Sequence, residues 1–198
     1  IETTVKFSEL GLHADLLVAL DKIGFETASP IQEMTIPPIV EGKDIFAQAE
    51  TGSGKTGSFA IPIIQRILMN DERNDIKTNQ SLYAVLSPTR ELSQQTHKVF
   101  QELGSKLGIT SACIIGGESI EKQKELLKDG VHILVGTPGR MCDLTKQKDV
   151  DLSMCKGIVF DEADRLFDMG FQKDIEFILA KAPADRQLVM VSATSNQE

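Results

Sequence analysis

Short runs of apolar and β-branched residues alternate along this chain with longer segments whose apolar residues recur at helical spacing. Short runs of this kind are typical of buried strands, and the longer periodic segments indicate helices. The predicted strands are 44–48, 82–87, 110–115, 132–135, 157–160 and 188–191. The clearest helix candidates are 14–23, 30–39, 91–107 and 120–127. This alternation predicts an α/β fold with a mainly parallel β-sheet and helices on both faces.

The length of the chain, 198 residues, is that of one domain with one sizeable core. No segment repeats, and no low-complexity linker separates two parts. We therefore assign residues 1–40 to an N-terminal flank of the same domain that occupies 41–198. The polar, aperiodic segment 70–80 predicts an exposed loop between a helix and a strand.

The charge balance is acidic, with 21 basic against 29 acidic residues and a formal net charge of −8. Attraction of nucleic acid over the whole surface is therefore disfavoured, and any phosphate binding must be local.

The three cysteines, Cys113, Cys142 and Cys155, form no CxxC pair and predict buried free thiols in a reducing compartment. No apolar run approaches the ~20 residues of a membrane span. We expect no membrane association and an intracellular, cytoplasmic location, or a nuclear one in a eukaryote.

A glycine-rich segment, AETGSGKT at 49–56, lies between a predicted strand and a predicted helix. It fits the P-loop pattern x-x-x-x-G-K-[ST], with alanine where the first glycine usually stands. Backbone N–H groups of such a loop converge on phosphates, a lysine reaches the terminal phosphates, and a hydroxyl suits Mg²⁺. The alternative is a turn that ends in Lys-Thr by chance. The predicted nucleotide-binding residues are Thr51, Gly52, Ser53, Gly54, Lys55 and Thr56.

Two carboxylates, Asp161 and Glu162, directly follow the apolar run 157–160. Ligands bind at the carboxyl ends of parallel strands, so we expect both side chains near the P-loop. We predict that Asp161 and Thr56 hold Mg²⁺, and that Lys55, Asp161 and Glu162 are catalytic, with Glu162 deprotonating the attacking water. The alternative is that the acidic residues only cap a helix N-terminus.

In this order the motifs resemble those of the DEAD-box family of ATP-dependent RNA helicases, and the resemblance covers nearly the whole chain. It implies a RecA-like P-loop domain that uses ATP and Mg²⁺. Phe25 and Gln32 match the adenine-recognition motif, in which the ring stacks on adenine and the amide pairs with its edge. Phe7 matches an upstream phenylalanine of the family, although an ordinary core position is an equal alternative.

The resemblance also implies three elements that bind the RNA backbone, each after a predicted strand. Their residues are Pro88, Thr89, Arg90, Gly116, Gly117, Thr137, Pro138, Gly139 and Arg140. Surface salt bridges and plain turns are the alternatives for single members of this set. Asp164, Ser192 and Thr194 match a family element that couples the ATP site to unwinding. Departures from the family pattern are Ala28, Ser93 and Ser195, none of which removes a reactive group.

Family members carry a second RecA-like domain that supplies an arginine finger, and no matching segment is present in these 198 residues. The resemblance therefore implies a domain, expected to be monomeric, that works with that second domain in cis. Alone it should be nearly inactive as an RNA-stimulated ATPase, because an arginine finger contributes about 10³ to 10⁵ in rate. A non-catalytic, ATP-gated RNA clamp is the alternative from another class. Among enzymes the alternative is a different P-loop NTPase, for instance a DNA helicase or a GTPase. The lack of an Asn-Lys-x-Asp guanine motif and the presence of Gln32 favour adenine over guanine.

Overall fold

The computed structural model describes residues 5–50 and 54–193. The strands in these ranges are β1 (Ile45–Ala49), β2 (Tyr83–Leu86), β3 (Ser111–Ile114), β4 (Ile133–Gly136), β5 (Gly157–Asp161) and β6 (Gln187–Ala193). The α-helices are α1 (Ala14–Lys22), α2 (Pro30–Val40), α3 (Lys55–Met69), α4 (Arg90–Gly104), α5 (Ile120–Leu127), α6 (Pro138–Lys146), α7 (Ala163–Asp168) and α8 (Gln172–Lys181). Each predicted strand is present, and the helix predicted at 91–107 ends at Gly104 and continues as a 3₁₀ turn, Ser105–Leu107.

The strands form one sheet in the order β1-β6-β5-β2-β4-β3. Every strand pair in the described part of this sheet is parallel, which confirms the predicted parallel architecture. The carboxyl ends of the strands therefore meet at one edge. The segments that follow β1, β2, β3, β4 and β5 all leave the sheet there, and these segments carry candidate motifs.

The core consists of two clusters, one on each face of the sheet. On β2, Tyr83 and Val85 point into the first cluster, and Ala84 and Leu86 point into the second. This alternation follows from the two-residue repeat of a strand. Helices α1 to α4 contribute Leu16, Ile36, Phe59 and Phe100 to the first cluster, while α6 to α8 contribute Met141, Leu144, Leu166 and Ile178 to the second. Helices thus cover both faces, as predicted.

The start of α2 shows how the sequence directs a local structure. Ser29 is the N-cap, and its Oγ accepts a hydrogen bond from the Gln32 N–H at 3.4 Å, while Gln32 Oε1 accepts one from the Ser29 N–H at 2.9 Å. This reciprocal pair is a capping box, and Pro30 occupies the first helical position, where its missing N–H costs nothing. The side chain of Gln32 is therefore fixed by the helix that it starts.

Segment 70–80 is largely exposed, as predicted, but the prediction is wrong for Glu72, which is only 1% exposed. Its Oε1 lies 3.3 Å from Lys156 Nζ and accepts a hydrogen bond from Asn70 Nδ2 at 2.9 Å. A carboxylate can be buried when it is paired and hydrogen-bonded in this way. The polar residues of this segment therefore include one buried carboxylate, Glu72, beside those that face solvent.

The thiols conform to the sequence-based expectation with one exception. Cys142 and Cys155 are buried, whereas Cys113 is partly exposed at the edge strand β3, which corrects the prediction of three buried thiols. Burial raises the pKa of Cys113 to about 11 and that of Cys155 to about 12, so both thiols stay protonated and unreactive near neutral pH.

Among the described helices, none is both long and apolar enough to cross a membrane.

Gly136, the last residue of β4, provides a test of the sheet. A Cβ at this position would lie 2.3 Å from the backbone oxygen of Ile114 on β3, so Gly136→Ala must separate the two strands. We expect a loss of unfolding free energy of about 1–3 kcal/mol in urea titrations. Gly139→Ala is the matched control, because a Cβ there meets nothing within 4 Å. Equal stabilities of the two variants would contradict the close approach.

His97 on α4 should reduce the unfolding free energy of the chain at acid pH. Burial disfavours its charged form and lowers its pKa below the ordinary 6.5, so the folded chain binds this proton less readily than the unfolded chain. This contribution to stability is therefore complete above about pH 6.5 and is lost as the pH falls through the folded-state pKa. Urea unfolding at pH 8 and pH 5.5 should show a smaller decrease for His97→Gln than for the parent chain. Equal decreases in the unfolding free energy of the two proteins would show that His97 does not cause the loss of stability at acid pH.

Candidate functional site

A cavity of about 360 Å³ lies at the carboxyl ends of β1 and β5. It is lined by residues that the sequence predicts for nucleotide binding and catalysis, namely Phe25, Gln32, Gly54, Lys55, Thr56 and Glu162. Parallel pairing of β1 with β6 and of β6 with β5 brings Gly54, Lys55 and Thr56 to Glu162. A hydrogen bond from Gln32 to the Gly54 carbonyl joins the adenine motif to them. Thr51, Gly52 and Ser53 lie outside the described residues.

Lys55, the first residue of α3, joins the P-loop to the two predicted carboxylates. Its Nζ lies 3.0 Å from Asp161 Oδ1 and 3.5 Å from Glu162 Oε1. The lysine side chain is largely shielded from water, so these ion pairs are screened less than pairs on an open surface. The residue predicted to bind phosphates is thus held by the two predicted carboxylates.

Asp161 ends β5 and is fully buried. Burial raises the pKa of its carboxyl above the ordinary value, and the nearby Lys55 ammonium opposes this rise by stabilising the charged form. Its Oδ2 also accepts a hydrogen bond from Thr96 Oγ1 on α4 at 3.3 Å. Asp161 therefore depends on local cations to remain ionised, as a metal ligand must.

Glu162 is the residue between β5 and α7, and it has a left-handed backbone with φ 50° and ψ 54°. A non-glycine residue in this region is uncommon, and such conformations occur often at functional sites. Its Oε2 lies 2.7 Å from Arg165 Nη1, while Oε1 faces Lys55. The strained turn therefore holds the carboxylate at the cavity wall between two cations.

The predicted adenine-binding residues form one side of the cavity. Gln32 is 4% exposed, and its Nε2 donates a hydrogen bond to the Gly54 carbonyl at 3.0 Å. Phe25 is partly exposed and stacks on Phe7, with ring centroids 6.2 Å apart and an angle of 18° between the rings. Phe7 itself is buried, so it takes the core position that the sequence left open and supports Phe25 from behind.

Gly54 is the N-cap of α3 and contacts Gln32 closely. Its φ of 79° is in the left-handed region, which glycine enters without strain. A Cβ on this residue would lie 2.5 Å from Gln32 Nε2. The glycine of the P-loop is therefore required both by the backbone conformation and by the close approach of the adenine-motif glutamine.

The donor set near Lys55 fits Mg²⁺. Thr56 supplies a hydroxyl and Asp161 a carboxylate, the hard oxygen ligands that this ion takes in proteins. Among the described residues, no group of three or more histidine, cysteine, aspartate or glutamate side chains could hold a metal by itself. Mg²⁺ is usually held by one or two protein oxygens together with phosphate oxygens and water.

A second cavity, of about 550 Å³, collects the residues predicted to bind the RNA backbone. We call it the groove. It lies at the carboxyl ends of β2, β3 and β4, and its walls include Pro88, Thr89, Arg90, Gly116, Thr137, Gly139 and Arg140. Helices α4 and α6 begin at Arg90 and Pro138 beside it, so their backbone N–H groups and positive ends face this region.

Gly117 and Pro138 were also predicted to bind RNA, and they support residues that line the groove. Gly117 packs against the Arg90 guanidinium, since a Cβ there would lie 2.6 Å from Arg90 Nη1. Pro138 is buried and starts α6. The Arg140 guanidinium donates to the Glu118 carbonyl at 3.1 Å and to Gln123 Oε1 at 2.9 Å, so two uncharged oxygens hold it in place. Asp143 also lines the groove.

The predicted coupling residues are not linked in the described part of the chain. Asp164 is exposed on α7, and Ser192 is buried on β6 beside Gln48 of β1. The described residues include no hydrogen bond between Asp164 and Ser192. Thr194 lies outside the described residues, so its role stays a prediction.

Three residues around the carboxylates were not identified from the sequence. Ser29 caps the helix that carries Gln32, and the capping-box spacing was a usable signal for it. Arg165 lies three residues after Glu162, a separation at which helical side chains meet. Thr96 contacts Asp161 at a sequence separation of 65 positions, and local sequence carries no signal for such a contact.

The sequence and the fold were compared with those of known proteins. The profile of the DEAD/DEAH box helicase family matches residues 29–198. The chain is 46% identical over 190 residues to the DEAD-box ATP-dependent RNA helicase CshA of Streptococcus pneumoniae, covering 96% of this chain and 35% of that protein. It is 43% identical over 195 residues to the ATP-dependent RNA helicase RhlB of Xanthomonas axonopodis, covering 97% and 34%.

The fold is similar to the crystal structure of a DEAD box protein from the hyperthermophile Methanococcus jannaschii. The TM-score is 0.87 at 38% identity, over 98% of this chain and 51% of that chain. The expected RecA-like α/β fold is thereby confirmed. The chain spans about a third of the length of the curated relatives named above. Because the family profile matches most of the sequence and the solved fold matches nearly all of it, this chain belongs to the DEAD/DEAH box helicase family.

Proposed function

We propose that this chain is the ATP-binding domain of an ATP-dependent RNA helicase, which couples ATP binding and hydrolysis to RNA binding and to local unwinding or RNP remodelling. The observation that carries the proposal is the position of Lys55. It lies within ion-pair distance of Asp161 and Glu162, in the cavity that Gln32 and Phe25 also line. One cavity thus offers groups that can bind a nucleobase and phosphates and can activate a water nucleophile.

Adenine would lie against Phe25 and pair with Gln32. The Gln32 amide uses one N–H on the Gly54 carbonyl and one oxygen lone pair on the Ser29 N–H. An amide has two N–H groups and two lone pairs, so one donor and one acceptor remain for the base. This arrangement matches the donor and acceptor edge of adenine. It also ties base recognition to the position of the P-loop through Gly54.

Phosphate binding would move Lys55. The ammonium of Lys55 would leave the carboxylates for the β- and γ-phosphates, with backbone N–H groups of residues 51–54 and the start of α3 as further donors. Thr56 and Asp161 would hold Mg²⁺, directly or through water. The bound ion would supply positive charge where negative charge develops on the transferred phosphoryl group.

Glu162 would then act as the general base. Transfer of Lys55 to the phosphates frees Glu162 Oε1, which can accept the proton of the attacking water. The water oxygen bonds to the γ-phosphorus as the bond from that phosphorus to the β–γ bridging oxygen breaks, so ADP leaves with the bridging oxygen and inorganic phosphate is released. Arg165 keeps the other oxygen of Glu162 in place at 2.7 Å. The left-handed backbone of Glu162 helps to aim the carboxylate into the cavity.

RNA would bind in the groove through its phosphates and sugars. Arg90, Arg140, the Thr89 and Thr137 hydroxyls and two helix N-termini are suited to phosphate, and they read no base sequence. Local binding of this kind is compatible with the acidic net charge of the chain. Selection of a target would then require other parts of the protein or its partners.

The rest of the machinery would come from the remainder of the longer protein. The named relatives are about three times as long as this chain, which supports a second RecA-like domain with an arginine finger and further RNA contacts. The 198-residue chain alone should then hydrolyse ATP poorly. The division into a flank of 1–40 and a body of 41–198, the monomeric state, the coupling role of Asp164, Ser192 and Thr194, and the cytoplasmic location stay predictions.

Nucleotide choice is testable by thermal unfolding. ADP with Mg²⁺ should raise the melting temperature of the chain more than GDP does, because Gln32 complements adenine. Gln32→Ala should lower the melting temperature by the loss of its capping and Gly54 contacts, and it should also reduce the additional shift with ADP. A larger shift with GDP than with ADP would overturn the adenine assignment.

The catalytic assignment is testable in the full-length protein. Glu162→Gln removes the base without changing the size of the side chain, so we expect steady-state RNA-stimulated ATP hydrolysis to fall by about 10²–10⁴ while nucleotide affinity is retained. Glu125→Gln, on the exposed face of α5, is the control and should leave turnover unchanged.

The same measurement separates the helicase from an ATP-gated clamp. A clamp that only locks on RNA would hydrolyse little ATP in its parent form. Persistent hydrolysis in Glu162→Gln would refute the base assignment, whereas an inactive parent protein that still binds RNA with ATP would favour the clamp.

A further inference from the structure

Thr96 on α4 is a buried polar residue that contacts the predicted metal ligand Asp161. The threonine is fully shielded from water, and its Oγ1 donates a hydrogen bond to Asp161 Oδ2 at 3.3 Å. A threonine inside a helix commonly donates this hydrogen to a backbone carbonyl of the preceding turn. Here the hydrogen bond crosses from α4 to the end of β5, so the hydroxyl serves a contact between two distant segments.

The two carboxylate oxygens of Asp161 have different partners. Oδ2 accepts the hydrogen bond from Thr96. Oδ1 is also buried, has no hydrogen-bond partner in the described part of the chain, and forms an ion pair with Lys55 Nζ at 3.0 Å. If phosphates draw Lys55 away, Oδ1 becomes a buried charged oxygen without a partner, which is costly unless another cation replaces the ammonium. One oxygen is therefore anchored, and the other is placed for a metal ion.

The anchor decides which oxygen points where. The terminal torsion of an aspartate side chain is broad, so a carboxylate without an anchor rotates easily. The bond to Thr96 fixes Oδ2 and thereby directs Oδ1 toward Lys55 at the start of α3. Carboxylates that bind metal ions are commonly held by hydrogen bonds of this kind, and the loss of such a bond weakens metal binding.

The position of Thr96 is itself fixed relative to the P-loop helix. Phe100 lies one turn after Thr96 on α4, and both residues are buried. Phe59 lies one turn after Lys55 on α3 and is also buried. The rings of Phe59 and Phe100 pack with centroids 6.2 Å apart. This contact holds the helix that carries the hydroxyl against the helix that begins the phosphate site.

We propose that Thr96 is a positioning residue of the metal site. Its hydroxyl orients Asp161 so that Oδ1 can hold Mg²⁺, directly or through water, once a nucleotide has drawn Lys55 away. The proposal rests on the proposed ATP-binding function, and it gives Thr96 a role through Asp161 without direct contact with the metal or the nucleotide. The loss of this hydroxyl should therefore weaken the binding of Mg²⁺ and leave the metal-free binding of nucleotide unchanged.

A metal titration separates this role from a purely structural one. Fluorescent ADP is first bound to the chain in EDTA, which gives the metal-free affinity, and free Mg²⁺ is then raised in steps to obtain its half-saturating concentration. Thr96→Val keeps the size of the side chain and removes the hydroxyl. We expect the half-saturating concentration of Mg²⁺ to rise about tenfold, with an unchanged dissociation constant for ADP in EDTA. Thr145→Val is the matched control, because Thr145 is also buried and its Oγ1 donates to the Met141 carbonyl within α6.

Thr96→Ser retains a hydroxyl and should keep the parent affinity for Mg²⁺. Thr96→Ala also lacks the hydroxyl and replaces Thr96→Val in the test if the valine variant does not fold. A parent chain that responds to Mg²⁺ equally with and without the hydroxyl would refute the role of Thr96 and keep the proposed function. An equal loss in Thr96→Ser and Thr96→Val would assign the effect to packing and also refute it. A parent chain without any response to Mg²⁺ would overturn the metal site itself.

Discussion

Parallel pairing of β1, β6 and β5 brings Lys55 to Asp161, and the candidate nucleotide site depends on this alignment. The two residues are separated by most of the chain, yet the lysine Nζ and the carboxylate oxygen are 3.0 Å apart. Since all strands of the described sheet run in one direction, each motif that follows a strand opens onto the same edge. A change of direction in one strand would move its motif to the opposite edge and divide the site.

The Lys55 contacts also balance charges that burial would otherwise penalise. Asp161 is fully buried, and its raised pKa reflects the cost of an ionised carboxylate away from water. Lys55 offsets this cost, and Arg165 similarly neutralises Glu162. Binding of a nucleotide with its metal would replace one set of charges by another. The cation near Asp161 would change from an ammonium to Mg²⁺, so the buried carboxylate would keep a positive partner throughout.

The acidic net charge and the proposed RNA binding are compatible because the groove is local. Two guanidinium groups and two helix N-termini converge there, and Arg140 is held by a carbonyl and an amide instead of a carboxylate. These two partners leave its charge unneutralised, and Asp143 is a carboxylate that lines the same groove.

The sequence by itself determined the fold class, the six strands and the positions of the P-loop and of Asp161 and Glu162, because strand periodicity and motif spacing are local properties. The spacing of Ser29 to Gln32 is a local signal of the same kind, although the cap at Ser29 was not predicted. Only the tertiary structure decided which residues meet: Thr96 with Asp161, and Arg90 with Gly117. It also showed that Glu72 is buried in a segment that is otherwise exposed. These contacts depend on strand order and helix packing, which join distant segments and leave no periodic signal in the sequence.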